Sequence, residues 1–170
     1  MTGLEALWAG WRSEYIERVT GAGHSAGCVF CAILSSGLPD EETYVVWRHP
    51  AGTAVAILNA YPYTSGHLMV MPTRHVGEIE ELAGTEGEAI WRGIGDGVQA
   101  IKAAYRPDGC NVGANLGRAA GAGVPGHFHM HVLPRWVGDT NFMTSVAQAR
   151  VLPEALSVSA AKIRSAWPAS

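Results

Sequence analysis

The sequence predicts an α+β domain in which an antiparallel sheet packs against one long helix. Short apolar or β-branched runs, separated by Gly or Pro, come first; a stretch with helical spacing follows, and then two further strand-like runs. Strands, helix and strands in this order, without internal repeats, are typical of an antiparallel sheet with a helix on one face. We divide the chain into an N-terminal helical arm (1–27), a main domain (28–145) and a C-terminal tail (146–170).

The arm is predicted from one apolar face, and the main domain opens with a short element. An amphipathic helix accounts for the spacing of Leu4, Leu7, Trp8, Trp11 and Tyr15. The segment GCVFCAI (27–33) then carries two cysteines into a short element that is broken by Ser35, Ser36, Gly37 and Pro39.

Five strands and two helices complete the prediction. The strands are TYVVWR (43–48), TAVAILN (53–59), HLMVMP (67–72), CNVGAN (110–115) and HFHMHVLP (127–134). Between the third and fourth, apolar residues keep helical spacing from Glu78 to the stop at Pro107. A glycine-rich loop, GRAAGAGVPG (117–126), joins the last two strands, and a weak helix runs from about Pro153 to Trp167.

Composition excludes several classes of protein. The chain has 170 residues, 48% of them apolar and 16% charged, which fits a single globular domain rather than a disordered chain. Its formal charge of -3 lacks the basic excess that nucleic-acid binding requires. We expect no membrane partner and a cytoplasmic location, because the sequence shows neither a spanning apolar run nor a signal peptide.

Three histidines alternate in the last predicted strand. His127, His129 and His131 lie at i, i+2 and i+4, so a strand would present all three imidazoles on one face. A neutral imidazole can attack phosphorus through one ring nitrogen when an acceptor holds the other, and phosphohistidine is a competent leaving group in a second step. Backbone N–H groups of the glycine-rich loop, including Gly121 and Gly123, would bind the phosphate oxygens.

The cysteine pair predicts a metal site. Cys28 and Cys31 are three residues apart and Cys110 is a third, which gives no disulfide framework. A redox dithiol usually opens a helix in a parallel α/β unit, and no such unit is predicted. Tetrahedral zinc would need two more ligands, for which His75 and His127 are the candidates.

These motifs together carry a resemblance. HFHMHVLP resembles the His-φ-His-φ-His-φ-φ signature (φ is apolar) of the histidine-triad (HIT) family of nucleotide hydrolases and transferases, and NAYPYTSGHLMVMP resembles that family's substrate-strand motif. NVGANLGRAAGAG with the triad is most similar to the bacterial diadenosine-polyphosphate hydrolase and phosphorylase branch. The resemblance spans about residues 28–143.

The resemblance implies roles for individual residues. His129 would be the nucleophile at the α-phosphorus, with His131 and His67 near the phosphates. Asn59 would hold ribose hydroxyls and Asn115 a phosphate oxygen, although Asn59 would also fit as a strand-end cap and Asn115 as a turn residue.

It also implies a structural zinc, no organic cofactor and a homodimer. Zinc-bearing relatives use two Cys, a distant His and the first triad His, which correspond here to Cys28, Cys31, His75 and His127. Where better-known members carry Gln, Ser or Thr before the triad, this chain has Ala122 and Gly123. After the triad, Trp136 would either stack on a second base or pack over the core or a partner subunit.

We therefore expect an enzyme that cleaves dinucleoside polyphosphates, such as diadenosine tetraphosphate, at the α-phosphorus through a nucleotidylated histidine. Phosphorolysis and hydrolysis both remain open. One alternative is a nucleoside phosphoramidate hydrolase, and a second is a nucleotide-binding module with an idle triad.

Overall fold

The computed structural model describes residues 27–139 and 154–169. The predicted N-terminal helix lies outside the described residues, as do residues 140–153 between the predicted main domain and its tail. The division into arm, domain and tail therefore stays a prediction.

One five-stranded antiparallel sheet forms the centre of the molecule, as predicted. Its strands are β1 (Val45–Arg48), β2 (Ala54–Leu58), β3 (Leu68–Pro72), β4 (Gly109–Gly113) and β5 (Met130–Arg135). They lie in the order β1-β2-β3-β5-β4, and each neighbouring pair is antiparallel. This order places β5 between β3 and β4, so the strand that follows the first two triad histidines is paired on both sides.

Four α-helices are described: α1 (Val29–Ser35), α2 (Asp40–Thr43), α3 (Gly84–Tyr105) and α4 (Leu156–Ala166). The long helix α3 begins at Gly84 rather than at Glu78, because the Glu86 carboxylate accepts the N–H of Ala83 at 2.9 Å and fixes the first turn there. No helix among the described residues combines the length and apolar character needed to cross a bilayer.

The sheet has an apolar core on each face. Successive residues of β2 and β3 point to opposite sides, as the strand period of two requires. The first core, against α3 and α4, takes Ala54, Ala56, Leu58, Leu68 and Val70. The second core, against α1, takes Val55, Ile57, Met69 and Met71. At Gly93 of α3 an added Cβ would lie 2.8 Å from the Trp47 ring, so glycine permits this close helix–sheet contact.

The triad segment is extended but only partly a strand. The predicted strand 127–134 begins at Met130, because before that residue the backbone leaves the ladder and the Phe128 N–H donates to the carbonyl of Val76 at 2.6 Å. Phe128, Met130 and Val132 pack with the first core. The three alternating histidines are thereby directed to one face, as the sequence predicted, and that face is the one covered by α1.

Candidate active site

A cavity of about 300 Å³ lies on the α1 face of the sheet. Six of the predicted site residues line it: Asn59, Asn115, Gly121, Gly123, His129 and His131. The rest of its wall is apolar or aromatic and is contributed by Val29, Phe30, Ile33, Ile57, Leu58, Ala60, Tyr61, Tyr63, Met69 and Val124. An apolar slot with a few polar groups in its wall is the usual form of a site for a small organic ligand.

His129 has a fixed tautomer. Its Nδ1 lies 2.8 Å from the carbonyl oxygen of His127, and since a carbonyl only accepts, Nδ1 carries the proton. The Nε2 lone pair is left for an electrophile, on a ring that lines the cavity. Burial lowers the pKa of His129, which keeps the imidazole neutral near pH 7. Both conditions favour a nitrogen nucleophile.

His67 and His131 form a hydrogen-bonded pair with a defined direction. The Tyr63 N–H donates to His67 Nδ1 at 3.1 Å, so the proton of the neutral His67 ring lies on Nε2. That proton is donated to His131 Nδ1 at 2.9 Å. His131 therefore carries its own proton on Nε2, where it can donate to an oxygen of a ligand. Burial, followed by the neighbouring His129, lowers the pKa of His131 to about 4.

A glycine sets the position of His67. Gly66 adopts a φ of 82°, and a Cβ there would lie 2.8 Å from the ring of Tyr105. Glycine alone combines this backbone conformation with this close approach. The His67 side chain is completely buried, which places it behind His131 rather than in the cavity wall.

Four predicted metal ligands come together at the start of α1. One donor atom from each of Cys28, Cys31, His75 and His127 lies within 4.8 Å of the others. Nδ1 of His127 is 3.4 Å from the Cys28 sulfur and 3.6 Å from the Cys31 sulfur, and Nδ1 of His75 is 3.3 Å from the Cys31 sulfur. Tetrahedral zinc, with its usual bond lengths to S and N, separates such atoms by about 3.5 Å.

The tautomer of His127 supports metal ligation. Its Nε2 lies 2.9 Å from the carbonyl oxygen of Pro72 and so carries the proton, which directs the Nδ1 lone pair at the two thiols. Burial lowers the pKa of His127, so the ring is neutral as a metal ligand must be. The ion pair between Arg74 and the buried carboxylate of Glu86, at 2.8 Å, positions the backbone next to His75.

Phe30 connects this cluster to the cavity and was not predicted from the sequence. Its ring meets His127 and His129 edge-on, at centroid distances of 5.5 and 5.1 Å, and also lines the cavity. A helical reading of CVFCAI would have placed Val29, Phe30 and Ile33 on a common side of α1, which was the available signal. The helix that carries the two cysteines is thus also a wall of the ligand site.

The two asparagines line the cavity and hydrogen-bond to the backbone of the loops beside it. Asn59 Oδ1 accepts the N–H of Tyr61 at 2.9 Å, so the side chain also caps the end of β2 as the alternative reading expected. Asn115 Nδ2 donates to the carbonyl of Gly121 at 3.3 Å and ties the glycine-rich loop to the end of β4.

Trp136 is not brought into the cavity wall. Its ring lies edge-on to Tyr105 at 6.5 Å. Its backbone N–H donates to the Asp139 carboxylate, which also pairs with Arg135 at 2.6 Å. Of the two readings of Trp136, this geometry favours packing over the core.

Comparisons with known proteins agree with this geometry. Residues 44–137 match the family model described as HIT domain. An AP-4-A phosphorylase of Mycobacterium tuberculosis is 39% identical over 158 residues, which cover 90% of this chain and 79% of that protein. An uncharacterized HIT-like protein of Methanocaldococcus jannaschii is 32% identical over 66% of this chain and 81% of its own length.

Solved structures agree as well. The crystal structure of a Zn-bound histidine triad family protein from Mycobacterium smegmatis superposes with a TM-score of 0.66 and 28% identity, covering 82% of this chain and 92% of that chain.

Proposed function

Since the chain belongs to the HIT domain family, we propose that it is a nucleotide-binding enzyme that cleaves dinucleoside polyphosphates, such as diadenosine tetraphosphate, through a nucleotidylated His129. The observation that carries this proposal is the fixed tautomer of His129, whose Nε2 lone pair belongs to a neutral ring in the cavity wall. The AP-4-A phosphorylase relative supports the choice of substrate.

The first step is a displacement at the α-phosphorus. The Nε2 lone pair of His129 forms the N–P bond while the bond from phosphorus to the bridging oxygen breaks, and ATP leaves from diadenosine tetraphosphate. The carbonyl of His127 accepts the Nδ1–H of the ring and stabilises the positive charge that the imidazole gains. In the second step phosphate or water attacks the same phosphorus and regenerates neutral His129.

The remaining residues bind and orient the substrate. His131 donates its Nε2–H to a phosphate oxygen, and His67 holds that tautomer through the hydrogen bond at 2.9 Å. Asn59 contacts ribose hydroxyls, and Asn115 contacts a phosphate oxygen. Backbone N–H groups around Gly121 and Gly123 supply further donors to the phosphates. Trp136 lies outside the cavity wall, packed against Tyr105 at the end of α3, and takes no part in binding the substrate.

The thiol and imidazole cluster would hold a structural zinc ion. Two thiolates and two imidazoles at these distances form a closed tetrahedral donor set with no open position for substrate. The ion would contribute stability rather than reaction chemistry. His127 as a ligand would stiffen the backbone whose carbonyl orients His129.

Exposed surfaces support a proposal for the assembly, and the proposed substrate supports one for the location. β4 is an edge strand that exposes Val112, Leu116 is exposed in the segment that follows it, and α3 exposes Trp91, so we propose a homodimer through β4 and α3. A cytoplasmic location would match both a nucleotide substrate and free thiols.

Incubation with diadenosine tetraphosphate tests the function. ATP and ADP formed only with added phosphate would mean phosphorolysis, and ATP and AMP formed without it would mean hydrolysis. Acid-labile AMP on His129, detected by mass spectrometry of quenched protein, is expected in both cases. Turnover of an adenosine phosphoramidate with no turnover of the dinucleotide would favour the phosphoramidate hydrolase, and AMP binding without any turnover would favour the idle module.

A further inference from the structure

The cavity is too small for a whole dinucleoside polyphosphate. Its volume of about 300 Å³ lies at the lower end of the range for small-molecule sites and suits one nucleoside. The proposed substrate carries two nucleosides and four phosphates. One nucleoside must therefore lie outside the apolar slot, beyond the phosphorus that His129 attacks.

Two exposed tyrosines lie at the rim of that slot. Tyr61 and Tyr63 line the cavity, yet their side chains are 57% and 48% exposed. Phe30, the other aromatic residue of the wall, is only 5% exposed and belongs to the interior. The Tyr63 ring lies 5.0 Å from the His67 ring and 6.4 Å from the His131 ring, which places it beside the histidine pair that would bind phosphate.

The backbone that carries the tyrosines is held at several points. Asn59 Oδ1 accepts the N–H of Tyr61, and His67 Nδ1 accepts the N–H of Tyr63. The Asn59 N–H donates to the carbonyl of His67 at 2.9 Å, and the Thr64 hydroxyl donates to the carbonyl of Pro134 at 3.2 Å. A turn fixed in this way loses little conformational entropy when a ligand stacks on its side chains.

We propose that Tyr61 and Tyr63 form the subsite for the second base, the one that departs with the leaving nucleotide. This inference rests on the proposed function and adds the residues that distinguish a two-base substrate from a one-base substrate. Stacking on aromatic rings tolerates every base, so this subsite selects for the presence of a second base rather than for its identity.

The experiment compares two substrates with the same tetraphosphate chain. Diadenosine tetraphosphate carries a second base, whereas adenosine 5′-tetraphosphate does not, and His129 attacks the α-phosphorus of either one. Tyr61→Ala and Tyr63→Ala should each lower kcat/KM for the dinucleotide by roughly tenfold, the effect of one lost stack, and leave the mononucleotide within about twofold. Tyr61→Phe and Tyr63→Phe should keep the wild-type preference because the ring remains.

Each other outcome overturns the inference. Equal losses on both substrates would mean that the tyrosines merely support the histidine pair, and unchanged kinetics on both would mean that they contact neither base. A dinucleotide-specific loss in Trp136→Ala, with none in the tyrosine variants, would move the second base to Trp136. Failure of the wild-type protein to cleave the dinucleotide would instead reject the proposed function, and the subsite with it.

Discussion

Loss of the metal should release helix α1 while the rest of the domain stays folded. Helix α1 has seven residues, far fewer than an isolated helix needs to be stable in water. Its two buried side chains, Phe30 and Ile33, contribute about 3–6 kcal/mol together. Ordering seven backbone residues costs about 7–14 kcal/mol. Burial of these two side chains alone leaves α1 short by several kcal/mol.

A zinc ion held by the cluster would close this difference. A structural zinc contributes about 10–16 kcal/mol in small peptides, and two of the four candidate ligands, Cys28 and Cys31, flank the first turn of α1. The core against α3 and α4 does not depend on those ligands. We therefore expect Cys31→Ser to open α1 locally rather than to unfold the chain.

Hydrogen exchange measures the opening directly. Amides of residues 29–35 should exchange much faster in Cys31→Ser and in chelated wild-type protein, while the amides of β2 and β3 stay protected. AMP should bind about tenfold more weakly, since Val29, Phe30 and Ile33 form one wall of the cavity. Cys110→Ser is the matched control, because Cys110 lies outside the cluster. Unchanged protection of 29–35 after confirmed metal loss would refute the reasoning, as would equal opening in Cys110→Ser.

Four further substitutions test the site itself. His129→Ala should abolish AMP–enzyme formation while AMP affinity, measured by calorimetry, stays within about tenfold; normal turnover would exclude covalent catalysis. His67→Ala should mainly lower kcat, because His131 loses the donor that fixes its tautomer. Asn59→Ala should mainly raise KM, and it should have no effect on KM for a 2′-deoxyribose substrate. Burial holds the pKa of His131 at about 4, below the value of about 6.5 for an unfolded chain. The contribution of the neutral His131 ring to the free energy of unfolding is therefore full above pH 6.5 and is lost as the pH falls toward 4. The full shift corresponds to about 3 kcal/mol, which partial exposure of the ring reduces to roughly 1–2 kcal/mol. The free energy of unfolding, measured with urea, should accordingly fall less between pH 7 and pH 5 in His131→Asn than in the wild-type protein. An equal fall in the two proteins would contradict this expectation.

The regular spacing of apolar residues predicted which helices and strands the chain forms, but it predicted less well where each of them begins and ends. The apolar spacing predicts helix α3, but its start depends on the Glu86 carboxylate, which accepts the N–H of Ala83 and pairs with Arg74 from the loop after β3. The alternation of His127, His129 and His131 predicted one shared face, and the structure has it even though only His131 lies in β5. Side chains alternate between two sides of any extended backbone, whether or not it is hydrogen-bonded in a sheet. The three histidines therefore share one face although the residues before Met130 are outside the strand.

The chemistry of the histidines depends on partners that no pattern reveals. Equal residue types take three different roles: His129 exposes Nε2 because a carbonyl holds Nδ1, His127 exposes Nδ1 because the Pro72 carbonyl holds Nε2, and His131 donates because His67 occupies its Nδ1. The tautomer of each imidazole is fixed by a backbone carbonyl or by a side chain distant in sequence. Strand pairing, such as that of β3 with β5, brings these partners close. The spacing of the triad therefore predicts where the imidazoles lie, and the fold around them decides which ring nitrogen of each one carries the proton.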